Sequence, residues 1–528
     1  MSYRFRIIAI FVLCSLFLLP GRAEKWTTHL AYNNVTQIAM AEDKVYALSD
    51  GSLFSVDKQS EAIKVYNRQS GLHETTIACI YYDRSGKQLI IAYGNGKIDL
   101  LSSRGVQYIG ELYDKDMTQR KTIYNVTIAG RTAYLATHYG IQTMDLRENK
   151  LVDSYWLRPG GQETPIKDVL IANDSIYAFS DDSLYCAALT DPLSDYTYWH
   201  RELLGRIPSD TEKGVHYQDG TSDWYRGYGE GIIRFTATER LTYKPDGPLT
   251  NTPYCMRAIG NRLGVIQGGN NISSYKRPGM VMIFENGQWY NYDHAYLENH
   301  IGMASRDYTD ILFDPNDKSH FFVSSFGYGL MEFRADTFFH HYNTSNSGLE
   351  AIIEPVYPYT WVDGLQWDAE GNLWMTNISD HSIKALQPDG NWLLFTNDAC
   401  KDMGRSKDIL ISPSNPNIKF ISSIRDGVGV WDNNGTLNDQ SDDRAVLCTS
   451  FQDQNGNALT IARTSSFFLT PSGKLLIGTE AGLYRIDQPE TLLNNNLLCE
   501  PVVVSIPEEG REHIFEAENI RSIAKNHL

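Results

Sequence analysis

Basic side chains are in short supply in this chain. Lys and Arg number 47 against 64 Asp and Glu, which sets the formal net charge at −17 over 528 residues. Removing an amino-terminal leader with Arg4, Arg6 and Arg22 leaves 44 basic against 64 acidic side chains, or −20. A nucleic-acid partner is therefore not expected, because phosphate binding needs a basic face. Cysteine is scarce as well. Only Cys79, Cys186, Cys255, Cys400, Cys448 and Cys499 lie beyond the leader, and no two stand at metal-site or redox-motif spacing. They read as small buried hydrophobes, with one bridge among Cys400, Cys448 and Cys499 left open.

Long apolar runs are missing too, with one exception. Arg4 and Arg6 precede a run over residues 7–19, which stops at Pro20 and is followed by Gly21, Arg22 and Ala23. This is the pattern of a secretory signal peptide over residues 1–23, cleaved near Ala23. The run is short for a membrane span of about 20 residues. The mature chain is expected to be exported without a transmembrane segment. Cys14 does not read as a lipid attachment site, since Leu13 before it is bulky and the cysteine lies within the apolar run.

Enzyme signatures are also lacking: there is no HExxH, no GxSxG, no P-loop and no dinucleotide-binding glycine pattern. No catalytic, cofactor-binding or metal-binding residue is assigned, no cofactor is expected, and ligand-binding residues are left open. His340 and His341 are adjacent, so on a strand they point to opposite faces and cannot share one metal. The acidic stretch over 432–443 lacks the ligand order of a calcium loop and reads as a solvated inter-strand loop. DPND (314–317) and PSNPN (413–417) fall at equivalent places and read as hairpin turns. Trp224, Trp374 and Trp431 sit in strand phrases and read as core. Tyr357, Tyr359 and Trp361 fall in a long loop and are the better candidates for stacking on a sugar ring.

What the chain does have is a repeat. Its clearest copy is SFFLTPSGKLLIGTEAGLYRID (466–487): three short apolar runs separated by turn residues, hence three antiparallel strands. Gly482, before the third run, sits where a positive φ is needed. Weaker copies read DKVYALSDGSLFSVD (43–57), GKQLIIAYGNGKIDL (86–100), GRTAYLATHYGIQTMD (130–145), WYRGYGEGIIRF (224–235), FFVSSFGYGLMEF (321–333) and FISSIRDGVGVWD (420–432). The marker glycine or its equivalent falls at positions 51, 96, 140, 183, 231, 279, 329, 382, 429 and 482, a period of 43 to 53 residues. A fourth strand is expected from phrases such as QWYNY (288–292) and NWLLF (391–395). Four strands repeated radially make a β-propeller. Ten repeats exceed the usual limit of about eight blades, so two rings are expected. The first ring is placed at 24–250 and the second at 251–528, with seams at 203–220, 247–253 or 344–359 and interleaving left open.

The sets WDNNGTLNDQSDDRA (431–445), FQDQNGNAL (451–459), RPGMVMIFENGQWYN (277–291) and GTEAGLYRID (478–487) resemble the PorZ family, the two-propeller component of the Bacteroidetes type IX secretion system. The resemblance covers nearly the whole mature chain. It implies two propellers, a carboxy-terminal β-sandwich signal domain and a place at the outer-membrane surface. It also implies work beside a sortase-like peptidase that attaches anionic lipopolysaccharide, with other outer-membrane proteins as partners. This chain stops at Leu528 without a sandwich, in what reads as the first strand of an eleventh blade (520–524). An incomplete second ring is therefore expected, with 508–528 its least protected segment. The favoured function is a non-catalytic secretion-machinery component at the periplasm or outer-membrane surface. The alternatives are the ligand-sensing propeller of a two-component regulator and a glycan-active propeller enzyme.

Overall fold

The structure is a computed structural model that describes residues 27–203, 214–269, 276–351, 359–396, 406–423, 427–461, 464–479 and 481–502. The signal peptide over 1–23, the strand expected at 520–524, Tyr357 and Cys400 lie outside these residues. The chain divides into two compact units, Met1–Gly247 and Pro248–Leu528. Among the described residues each unit carries five four-stranded antiparallel repeats, so the all-β propeller fold is the one this chain adopts. Blades 1 to 5 span 35–66, 77–109, 123–156, 168–203 and 216–243. Blades 6 to 10 span 255–292, 308–342, 360–395, 406–448 and 464–502.

The sequence forces stacking because the inner strands are apolar on both faces. Gln88–Tyr93 of blade 2 and Leu373–Asn377 of blade 8 are buried at every position, whereas the fourth strand His200–Leu203 of blade 4 is exposed throughout. A sheet of this kind leaves apolar surface in water unless a neighbour covers it. Eight core clusters do this, each between two blades. Ile38, Val45 and Phe54 of blade 1 meet Trp224, Ile232 and Tyr243 of blade 5. Blade 1 also packs on blade 2, blade 2 on blade 3, and blade 3 on blade 4. In the second unit blades 6 to 10 pack in chain order. Spatial order in the first unit is thus 5-1-2-3-4, and no core cluster among the described residues joins blade 4 to blade 5.

Polar bonds reinforce the blade 5 to blade 1 contact. Arg226 Nη1 donates to the Thr36 carbonyl at 2.8 Å, Lys244 Nζ to Asn33 Oδ1 at 2.7 Å and the Tyr243 hydroxyl to Glu61 Oε1 at 2.9 Å. Elsewhere threonine hydroxyls bind the carbonyls of the next blade: Thr127 to Val169 and Thr309 to Val362, both at 2.6 Å, and Thr376 to Lys407 at 2.9 Å.

The repeat glycines have two different reasons to be glycine. Gly140, Gly231 and Gly329 open third strands at φ +136°, +82° and +78°, and a Cβ there would strike the carbonyl oxygen of Tyr155, Tyr243 or Tyr342 in the fourth strand. Gly482 has φ +144° but open space where a Cβ would lie, so only its backbone conformation is restrictive. In blade 9 the marker slips by two residues. Gly427 takes the turn at φ +80°, while Gly429 pairs with Ile421 inside the strand Val428–Asp432.

Candidate ligand-binding mouth at the axis of the first unit

In blades 1 to 4 and again in blades 6 to 9 the first strands of successive blades approach one another, as strands lining a propeller axis do, while blade 5 meets blade 1 through its strands Ser222–Gly227 and Gly231–Phe235. Three of the five first strands in the first unit are bent by a bulge, with register shifts at Val35/Gln37, Ile77/Cys79 and, in blade 3, opposite Ala136/Thr137. A bulge strengthens the local twist and re-aims the side chains that follow. In the first unit the ends of these strands border a cavity of about 290 Å³, lined by Met40, Ile128, Tyr217 and the run Tyr81 to Ser85. Met40 closes the first strand of blade 1 (Val35–Met40), the Tyr pair that of blade 2 (Ile77–Asp83), and Tyr217 belongs to the first strand of blade 5 (His216–Asp219). The Ile38 N–H donates to the Gly214 carbonyl at 2.7 Å and holds the entry of that strand against blade 1.

Arg84 is presented by a side-chain-capped turn. The buried Asp83 carboxylate accepts the Ser85 N–H at 3.0 Å and the Gln88 amide at 3.3 Å, which fixes the backbone under the exposed arginine. Arg84 forms no ion pair among the described residues. Burial pushes the phenols of Tyr81 and Tyr217 up, and the Arg84 charge opposes this in both. Tyr82 is raised by burial and by donating to Glu42 Oε2 at 2.7 Å, and that bond holds the Glu42 carboxyl below its usual range. The mouth therefore offers aromatic faces, neutral hydroxyls and one unpaired guanidinium. These groups suit stacking on a ring and pairing with a carboxylate or phosphate. Cys79, on the same first strand as Tyr81 and Tyr82, is buried, and burial pushes its thiol up to about 12.

Several residues singled out in the sequence are placed by the structure. Trp224, Trp374 and Trp431 are each 1% exposed and belong to the blade cores. Trp361 is not on a surface loop. It lies in the strand Thr360–Trp367, is 2% exposed and packs edge-on against Phe326, because the apolar run continues through a bulge at Asp363 and Gly364 that reads as loop in the sequence. Tyr359 also leans on Phe326. His341 Nε2 bonds the Tyr328 carbonyl at 2.6 Å while His340 stands against Tyr342, on the other face. The acidic 432–443 stretch is an inter-strand loop whose carboxylates bind its own amides and hydroxyls, as Asp432 does for the Asn434 N–H and Asp442 for Thr436. Asp314 caps the Asn316 N–H and Asn415 the Asn417 N–H, both in hairpin turns. Cys448 and Cys499 are free and buried, so they form no bridge with each other. The tyrosines and Arg84 of the mouth are the residues that sequence reasoning missed. The one local signal is the capped turn DRSG (83–86) directly after two tyrosines.

Residues 45–200 match the family model of the type IX secretion PorZ amino-terminal β-propeller domain. Among solved structures, PorZ of Porphyromonas gingivalis, an essential surface component of its type IX secretion system, aligns with a TM-score of 0.77 at 22% identity, covering 90% of this chain and 75% of that one. The extracellular domain of a hybrid two-component protein of B. thetaiotaomicron aligns at 12% identity over 89% of this chain and 66% of that one, with a TM-score of 0.31. Streptogramin B lyase aligns at 15% identity over 56% of this chain and 92% of that one, with a TM-score of 0.26. No curated protein matches the sequence. The resemblance read from the sequence is borne out: residues 45–200 match the PorZ amino-terminal β-propeller domain, and the chain shares the fold of PorZ.

Proposed function

We propose that the chain is a non-catalytic component of the type IX attachment machinery, exported through its leader and held at the outer-membrane surface. Its two rings, 24–250 and 251–528, present surfaces to a sortase-like peptidase and to outer-membrane proteins of the same system. The axial mouth of the first ring takes the anionic glycan of lipopolysaccharide. The observation that carries this reading is the pairing of a PorZ-type propeller with a mouth of tyrosine faces around the unpaired Arg84. Half-buried phenols held protonated and a buried thiol support binding over catalysis at that mouth.

A pull-down from outer membranes with the mature protein as bait tests the partners, and anionic lipopolysaccharide in the eluate tests the ligand. Arg84→Ala is expected to weaken glycan capture about tenfold, the loss of one charge-assisted bond, and to leave the protein partners in place. Capture unchanged in Arg84→Ala and in Tyr217→Ala removes the mouth from the reading. Hydrolysis of a glycan or peptide by the purified protein overturns the non-catalytic assignment.

A further inference from the structure

Three consecutive first strands of the second unit carry a carboxylate at the bulge: Asp310 in blade 7, Asp363 in blade 8 and Asp408 in blade 9. Their compensation is unequal. Asp310 receives Arg257 Nε at 2.9 Å and Nη2 at 2.5 Å, the Leu365 N–H at 3.1 Å and the Ile311 N–H at 2.9 Å. Asp408 accepts the Ser422 hydroxyl at 3.0 Å and lies 3.8 Å from Lys407 Nζ. Asp363 is 2% exposed, and its only donor among the described residues is the Gly364 N–H, at 2.9 Å from Oδ1. Its Oδ2 is enclosed and meets no donor.

The backbone gives that carboxyl nowhere to turn. Gly364 has φ +59°, and a Cβ on it would lie 2.5 Å from the Lys407 carbonyl oxygen and 2.8 Å from the Asp408 Cα, so the bulge of blade 8 is pressed onto blade 9. The charged and titratable groups around Asp363 are Asp310 from blade 7, Lys407 and Asp408 from blade 9, and Tyr254 and Arg257 from blade 6. Arg257 is engaged with Asp310, which leaves Lys407 as the cation that acts on Asp363 against two carboxylates. Among the described residues no three acidic, histidine or cysteine side chains converge as metal ligands, so a proton is the occupant that fits the enclosed oxygen.

We propose that Asp363 carries a proton in the folded protein, and that releasing this proton to solvent loosens the contact between blades 8 and 9. The second propeller is then tightest in acid and slackens progressively through neutrality. Burial, then the charge of Asp408, pushes the Asp363 carboxyl up to about 8. In the unfolded chain an aspartate titrates near about 4. Between these values the folded state holds a proton that the unfolded state has lost. Stability therefore falls as pH rises from about 4 to about 8, and the loss from this group is complete above it.

Infrared spectroscopy of the full chain with labelled aspartate reads the proton directly. A carbonyl band of a protonated carboxylic acid is expected at pH 6, lost by pH 9.5, and missing at both in Asp363→Asn. Thermal unfolding provides a second reading: Asp363→Asn is expected to raise the melting temperature of the second unit by a few degrees at pH 8, about what a 1 kcal/mol change gives a domain of this size, and to flatten its pH slope. Hydrogen exchange in Thr360–Trp367 and Ser406–Ile411 is expected to speed up between about pH 5 and about pH 8 beyond its intrinsic rise and to level off above, in the wild type only. The infrared and exchange readings of the wild type stand even if the variant fails to fold. An ionised Asp363 at pH 6 overturns the proposal. A melting temperature raised by calcium in the wild type and not in Asp363→Asn also overturns it, in favour of a cation.

Discussion

The two units build the same axis from different chemistry. At the bulges of the first unit stand Gln37, Cys79 and Asn125, all uncharged, and the one carboxylate beside them is the buried Asp168 in the unbulged first strand of blade 4. Gln37 Oε1 accepts the Ile80 N–H of the next blade at 2.8 Å, and Asn125 Nδ2 donates to Asp168 at 3.1 Å. The corresponding places in the second unit hold Asp310, Asp363 and Asp408, with Arg257 closing one end of the row. An amide can donate and accept, so it joins one blade to the next and also supplies a donor to the buried Asp168 carboxylate. A carboxylate row only accepts, and needs a cation or a proton wherever the next blade supplies no donor. Axial geometry is therefore tolerant of sequence, while the price in electrostatics differs from ring to ring.

The strongest way to expose this difference is Arg257→Ala. It leaves Asp310 buried beside two further carboxylates, and is expected to destabilise the second unit by about 3 to 5 kcal/mol, the cost of breaking a buried pair by removing one partner. Segment-resolved hydrogen exchange under denaturant checks this, and an equal loss in both units would erase the contrast drawn here. Next come the repeat glycines. Gly140→Val adds a collision with the Tyr155 carbonyl to an unfavourable φ and should cost about 3 kcal/mol or more, whereas Gly482→Val, where the space is open, should cost about 1 to 2 kcal/mol. Equal melting shifts for the two would show that backbone conformation alone decides. The smallest effect is expected from Asn125→Ala. Removing a neutral donor from Asp168 should cost the first unit about 1 kcal/mol, and a loss as large as that of Arg257→Ala would mean that the amide axis is no cheaper to maintain.

Legibility in the sequence followed the range of the forces involved. Strands and turns were readable because apolar triplets and positive-φ glycines act locally: the phrase at 466–487 is found as strands Thr464–Leu469, Leu475–Thr479 and Gly482–Ile486. The packing of blade 5 on blade 1 was not, since every blade is apolar on both faces and nothing in WYRGYGEGIIRF names the sheet it will cover. The axial mouth was hidden for a related reason. Met40, Tyr81 and Tyr217 come from the ends of distant strands, and a strand-end tyrosine looks the same whether it packs a blade or faces a cavity. Trp361 was misjudged because Asp363 and Gly364 break the apolar pattern of a strand that bulges without ending.

The 5-1-2-3-4 order also sets a timetable. During synthesis the face of blade 1 that carries Val45 and Phe54 emerges well before its cover, since residues 216–243 follow residue 66 by 150 positions. At ordinary elongation rates that interval is on the order of 10 s. The bonds that close it join residues 173 to 211 positions apart, such as Arg234 to Glu61 and Lys244 to Asn33, and such non-local contacts form slowly. Blades 7 to 10 each find the preceding blade already made. A nascent first unit is thus the part of this chain that most needs a chaperone, and the part where a stalled ribosome would leave an adhesive sheet in water.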